Sequence, residues 1–179
     1  MEKGRIIFLN GVTSTGKTSI AGKIQELSDV MYYHVSNDMF HRMAGKKIWK
    51  ENSRECISKS IITMYYAIKG MCENGVNVII DGMLLEMPEY VRIYGRQHYD
   101  IMQSVLAGIV IFMVEVFGPL EECRRRNIAR GDRGEYQSEQ QNEEMNKSVK
   151  YDLKVNTFLN SANECAEQIL IAAFIHYDH

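Results

Sequence analysis

At 179 residues the chain has the length of one domain, and a chain of this size buries roughly 70% of its unfolded surface. Hydrophobic residues make up 45% and charged residues 25%, ordinary globular values that exclude a disordered or fibrous protein. Twenty-one Lys and Arg against 23 Asp and Glu give a formal net charge of −2, which argues against a protein whose main work is coating nucleic acid.

The apolar run Arg5–Leu9 predicts a buried strand, followed by a Gly/Thr/Ser loop and a helix from about Lys17 to Leu27. Tyr32–Val35 predicts a short second strand. Asn52 with Glu55 three residues later has the capping-box pattern. It opens a helix whose apolar positions Ile57, Ile61, Met64, Tyr65, Ile68 and Cys72 recur at helical spacing. Gly75 stops that helix, and Val76–Ile80 predicts a third strand. Pro88 suits a helical first turn, Ile109–Val114 predicts a fourth strand, and Pro119 starts an Arg-rich helix reaching about Ala129. Leu153–Val155 is a weaker strand candidate. Ser161 and Glu164 form a second capping box ahead of a final helix carrying Ile169, Leu170, Ala173 and Phe174. Strands that are continuously apolar and alternate with helices predict an α/β fold, a parallel sheet covered on both faces.

No apolar run approaches the roughly 20 residues that span a bilayer, and the run after Met1–Arg5 is too short for a secretory signal. Cys56, Cys72, Cys123 and Cys165 are widely spaced, with no C-x-x-C pair, and read as thiols in a reducing compartment. A cytoplasmic protein with no membrane partner is therefore expected. His34, His41, His98, His176 and His179 show no metal-ligand spacing.

The first loop carries the strongest signal. Gly11-Val12-Thr13-Ser14-Thr15-Gly16-Lys17-Thr18 fits G-x-x-x-x-G-K-[ST] without mismatch, between a strand and a helix as the motif requires. The glycines let successive backbone N–H groups turn inward toward phosphate oxygens, and the helix that follows offers its positive end to the same anion. Gly11 to Ser19 are thus the candidate nucleotide-binding residues, with Lys17 reaching the β/γ-phosphates and the Thr18 hydroxyl able to ligate Mg²⁺. A guanine-reading N-K-x-D segment is absent, since Asn146-Lys147-Ser148-Val149 lacks the aspartate. A small kinase using ATP and Mg²⁺ remains.

In an open parallel sheet, ligands sit beyond the carboxyl ends of the strands, so acids just after strands are candidates for the second substrate and the metal. Asp38, after the second strand, has two readings: a base that accepts the proton of an acceptor hydroxyl, or, like Asn37, a cap of the next helix. Asp81 ends the third strand and reads either as a Walker-B-like acid near Mg²⁺ or as a turn residue. Arg124, Arg125 and Arg126 read chiefly as a solvated helix face. Arg130 and Arg133, flanked by Gly131 and Gly134, read as lid residues that close over the transferring phosphoryl group.

Taken together, Arg5 to Ser19, Val35…Asp38-Met39-Phe40, Val78…Asp81, Ala129-Arg-Gly-Asp-Arg133 and Tyr151-Asp-Leu-Lys-Val-Asn-Thr157 resemble the chloramphenicol phosphotransferase-like proteins over nearly the whole chain. The resemblance implies a three-layer P-loop kinase fold of the nucleoside-monophosphate-kinase type, with a five-stranded parallel sheet, flanking helices and a short lid at about 130–138. It also implies ATP/Mg²⁺-dependent phosphorylation of a hydroxyl on a small molecule, with Asp38 as the base and Arg130 and Arg133 near the phosphates. With the motif reading, the expected catalytic residues are Lys17, Asp38, Arg130 and Arg133, and those near the metal are Thr18 and Asp81. Three departures bear on the acceptor: a shorter segment between Asp38 and Val78, Asp81-Gly82 where that family's strand ends in two acids, and Asn146 near an expected histidine. Chloramphenicol as the acceptor does not follow. A nucleoside or nucleotide kinase, and a non-catalytic nucleotide-binding regulator, are the alternatives.

Overall fold

The computed structural model of the protein describes residues 2–45, 52–131 and 134–177. In chain order the elements are β1 (Ile6–Asn10), α1 (Lys17–Leu27), β2 (Tyr32–Ser36), α2 (Asn37–His41), α3 (Ser53–Glu73), β3 (Asn77–Gly82), α4 (Pro88–Tyr94), α5 (His98–Val105), β4 (Ile111–Phe117), α6 (Leu120–Arg130), α7 (Gln137–Glu144), β5 (Leu153–Asn156) and α8 (Ala162–Tyr177). The five strands form one sheet in the order β2-β3-β1-β4-β5, and every pairing is parallel.

β1 lies in the centre and is buried at all five positions, because helices cover both faces of the sheet. One face packs Ile6, Phe8, Val78 and Ile80 against Met64, Tyr65 and Ile68 of α3 and Ile101 of α5. The other packs Ile7, Leu9, Ile79 and Val114 against Ile20 and Ile24 of α1 and Ile169 of α8. Successive strand residues point to opposite faces, so the unbroken apolar runs read from the sequence supply two cores at once. His98 belongs to the first core, with its ring stacked on Tyr90 at 4.4 Å between centroids. Its Nδ1 accepts the Leu85 amide at 3.3 Å, leaving Nε2–H to the Tyr65 hydroxyl at 2.8 Å. Burial pushes its pKa down to about 3.

The strands begin or end one to three residues from their expected limits. Two of these shifts matter. β3 runs on through Asp81 and Gly82, so Asp81 is a strand residue and the turn reading is withdrawn. β4 continues to Phe117, so the edge facing the phosphate loop is deeper than Val114. The capping box expected at Asn52 is not formed, since the Asn52 side chain makes no cap hydrogen bond. Glu55 turns instead to Lys59 and Arg92, each at 2.8 Å. At the other capping box, Glu164 Oε2 accepts the Ser161 amide at 2.7 Å and Ser161 Oγ accepts the Glu164 amide at 3.3 Å.

Candidate active site

The loop between β1 and α1 takes its shape from three residues. Gly16 has φ 92°, a left-handed conformation that a side chain resists. At Gly11 a Cβ would stand 2.2 Å from the Val116 carbonyl oxygen, so the neighbouring strand edge admits no side chain there. Ser14 has φ 60°, the one positive φ outside glycine among the described residues. α1 then opens with no side-chain cap and no acidic residue in its first turn. Its first-turn N–H groups and positive end are left for an anion.

Lys17, with 9% of its surface exposed, donates to the carbonyls of Gly11 at 2.7 Å and Val12 at 2.9 Å. The Thr18 hydroxyl donates to Asp81 Oδ2 at 2.6 Å, and Lys17 Nζ lies 3.9 Å from Asp81 Oδ1. Burial alone would raise the Asp81 pKa, but His34, Lys17 and Thr18 outweigh it and hold the carboxyl below its ordinary value. His34 reaches Asp81 from β2, with Nε2 3.6 Å from Oδ2. The strand register accounts for the meeting: Leu9, Asp81 and Ser36 stand level across β1, β3 and β2, and His34, opposite Ile79, is two residues back on the same face as Ser36. Two oxygens beside a phosphate loop suit a hard cation such as Mg²⁺, which keeps several waters and leans on substrate phosphates rather than on a full protein cage. Among the described residues no cluster of three or more His, Cys, Asp or Glu side chains could hold a metal ion by itself.

Asp38 follows Ser36 by two residues and so stands just beyond the same edge. Ser36 is the cap of α2: its φ and ψ are −118° and 152°, and its hydroxyl accepts the Met39 amide at 3.3 Å. Neither Asn37 nor Asp38 does that work. The Asp38 carboxylate is 43% exposed, with His41 Nδ1 3.9 Å from Oδ1. It faces a cleft of about 1590 Å³ that Lys17, Thr18, Asp81, Arg126 and Arg130 also line. The lining of that cleft also includes Ile57 and Ile61 of α3 and Met83, Leu85 and Met87 after β3, with Arg54 of α3 beside them.

The arginine-rich helix α6 divides unevenly. Arg125 pairs with Glu122 at 2.7 Å, and this contact with Arg125, helped by Arg126, holds the Glu122 carboxyl at about 2. Arg124 meets Glu135 at 3.3 Å and lies over the Tyr136 ring at 4.7 Å. Arg126 departs from the solvated-face reading: it crosses onto the phosphate loop, with Nη1 3.3 Å from the Ser14 carbonyl and Nη2 3.4 Å from that of Thr157. Arg130 ends α6 at the cleft, and Gly131 breaks the helix at φ 70°. Of the expected lid at 130–138, residues 132–133 and hence Arg133 lie outside the described residues.

Sequence reasoning missed Arg126, His34, Asn10 and Asn127. Asn10 is fully buried; its amide donates to the Tyr151 hydroxyl at 2.5 Å and its Oδ1 accepts the Leu84 amide at 2.9 Å. The available signal was a polar residue closing an apolar strand. For Arg126 and Asn127 there was none beyond their place in a helix of mixed charge.

Comparison with known proteins decides the family. The model of the chloramphenicol phosphotransferase-like proteins matches residues 4–173. The chain belongs to that family. The match takes in the phosphate loop, Asp38, Asp81 and the Arg130 segment together. Among relatives of this chloramphenicol phosphotransferase-like protein, a Mycobacterium tuberculosis (strain H37Rv) protein named as an O-phosphotransferase is 24% identical over 193 residues, covering 94% of this chain and 82% of the relative. The fold is shared with the M. tuberculosis APS kinase CysC solved with AMPPNP and APS (TM-score 0.70, 17% identity, 97% and 99% of the two chains). It is also shared with Acinetobacter baumannii shikimate kinase solved with shikimate (TM-score 0.66, 15% identity, 98% and 96%). The protein is a phosphotransferase of the P-loop kinase type. Among the described residues no helix is long and apolar enough to cross a membrane.

Proposed function

We infer that this chloramphenicol phosphotransferase-like protein moves the γ-phosphoryl group of ATP to a hydroxyl of a small molecule. One observation carries the reading: a single cleft is lined by the phosphate loop with Lys17, Thr18 and Asp81 and, just beyond the same strand edge, by Asp38, whose capping work Ser36 has taken over. A half-exposed carboxylate at that place is suited to receive a proton from a substrate.

In this reading the loop from Gly11 to Ser19 and the start of α1 hold the phosphates through the amides left open there, the Thr13 amide being bonded to Gln141, and Lys17 turns from its loop carbonyls to the β/γ-oxygens. Thr18 and Asp81 hold Mg²⁺ and its water shell, and the ion supplies charge neutralisation on those oxygens. Asp38 takes the proton of the acceptor hydroxyl as its oxygen attacks the γ-phosphorus. The bond from that phosphorus to the β–γ bridging oxygen breaks, and ADP leaves. Arg130 and Arg133 stabilise charge on the transferring group and, with the lid, keep water from competing. The name of the M. tuberculosis relative supports transfer to oxygen. The Ile57, Ile61, Met83 and Met87 wall supports an acceptor with an apolar side.

A coupled assay of ADP release over hydroxyl-bearing small molecules, nucleosides and nucleotides tests this. Acceptor-dependent release with a non-nucleotide alcohol, and mass-spectrometric detection of its phosphate ester, is the expected result. Release only with nucleosides or nucleotides makes the protein a nucleoside or nucleotide kinase, and tight ATP binding with no acceptor-dependent release makes it a regulator.

A further inference from the structure

Ser14 is held in a conformation that serine does not favour. Its φ of 60° lies in the left-handed region, where a non-glycine residue persists only if its surroundings enforce it. The enforcement comes from α6. Asn127, fully buried, accepts the Ser14 hydroxyl on Oδ1 at 2.7 Å. Its amide nitrogen donates to Ser138 Oγ at 2.8 Å and to the Glu135 carbonyl at 3.4 Å. Ser138, itself fully buried at the start of α7, donates a hydrogen bond from its hydroxyl to the Thr13 carbonyl at 3.3 Å. Gln141, one turn further along α7, accepts the Thr13 amide at 2.7 Å. Arg126 adds the contact to the Ser14 carbonyl.

Two consecutive residues of the phosphate loop are therefore gripped, backbone and side chain, by α6 and α7. Nothing in the loop's own sequence supplies this grip. We propose that Asn127 is a positioning residue: it holds Ser14 left-handed and so keeps the open amides of the loop aimed at phosphate, tying nucleotide affinity to the packing of α6 and α7. Asn127 touches no reacting atom; it acts through Ser14. The proposal rests on the reading that this loop binds a nucleoside triphosphate. Because its readout is nucleotide binding, it needs no knowledge of the acceptor.

The test is isothermal titration of the whole protein with ATP and Mg²⁺, and in parallel with inorganic tripolyphosphate, which lacks base and sugar. Asn127→Ala weakens both by about five- to ten-fold, the scale of one net hydrogen bond. Ser14→Ala deletes the other end of the same bond and weakens both by a similar factor, and the double variant loses no more than either single one. Adding Ser14→Gly to Asn127→Ala recovers most of the loss, because glycine takes φ 60° without help. A general packing defect at a buried asparagine would not be repaired by removing a side chain elsewhere. If Asn127→Ala fails to fold, the contrast between Ser14→Ala and Ser14→Gly carries the same test from the half-buried loop side.

Wild-type binding matched by Asn127→Ala and Ser14→Ala overturns the inference alone, as does weak binding by Asn127→Ala that Ser14→Gly leaves unrepaired. A wild-type protein that takes neither ATP nor tripolyphosphate overturns the functional reading and the inference with it.

Discussion

The two ends of the cleft are built differently. At the phosphate end the side chains are buried and joined to one another: Lys17 is 9% exposed and Asp81 8%, and Thr18, His34 and Lys17 converge on one carboxylate. At the acceptor end Asp38 is 43% exposed, and the walls come from α3, from the stretch after β3 and from α7. Preorganised charge suits the triphosphate, whose geometry is the same in every reaction of this class. An open, partly apolar wall suits the acceptor of the proposed function. In the proposed function the reaction is set by the first of these regions and the choice of acceptor by the second.

The comparison breaks most sharply at Lys17. Lys17→Ala is expected to lower phosphoryl transfer on the order of 10³-fold while leaving far-UV circular dichroism unchanged; transfer within a few-fold of wild type would place the phosphate chemistry elsewhere. Asp81→Asn removes half of the oxygen pair that faces the phosphate loop. Its expected effect is a rise of about ten-fold or more in the Mg²⁺ concentration giving half-maximal rate, read from a metal titration at saturating ATP.

A third prediction concerns the wall rather than the chemistry. His98 supports Leu85 behind the acceptor end, and its folded pKa of about 3 lies below the ordinary 6.5. The unfolded chain therefore binds the additional proton between those values, so stability is full above pH 6.5 and falls as the pH drops toward 3. Glu55 and Glu122, both held at about 2 against an ordinary 4.5, lose their share only lower down. Urea unfolding between about pH 6.5 and 5 should show a slope that His98→Gln flattens; an unchanged slope would mean that His98 is not held neutral.

The smallest effects are at the helix starts. Ser161→Ala should cost about 1 kcal/mol by thermal or urea unfolding, and Asn52→Ala a few tenths at most, because the Ser161 hydroxyl and amide are bonded to Glu164 and the Asn52 side chain caps nothing. Equal losses at both would return the capping box to Asn52.

The contrast between the two ends also explains what could be read in advance. The phosphate loop is legible because its residues are contiguous and phosphate geometry dictates their spacing. The parallel sheet is legible because the runs Ile6–Leu9, Val78–Ile80 and Ile111–Val114 are apolar without interruption. Asp38 is visible as a candidate but not decidable, since the cap belongs to Ser36 only by virtue of the extended backbone at that residue. Arg126 and Asn127 are hidden in an arginine run, because which side of α6 meets the phosphate loop depends on how the helix packs. Glu55 misleads because Arg92, 37 residues away, competes for it more strongly than the helix start does. Local chemistry is written locally; the grip on Ser14 joins residues 113 apart in the chain, and the acceptor wall joins α3 to the stretch after β3.

The most direct test of the account is the rate of acceptor-dependent ADP release by Asp38→Asn at saturating ATP, with the acceptor found in the screen. A base at that position predicts a fall in kcat of about 10²- to 10⁴-fold with the KM for ATP within about two-fold of wild type. A variant that keeps near wild-type kcat would contradict it, and would leave the acceptor end without its chemistry.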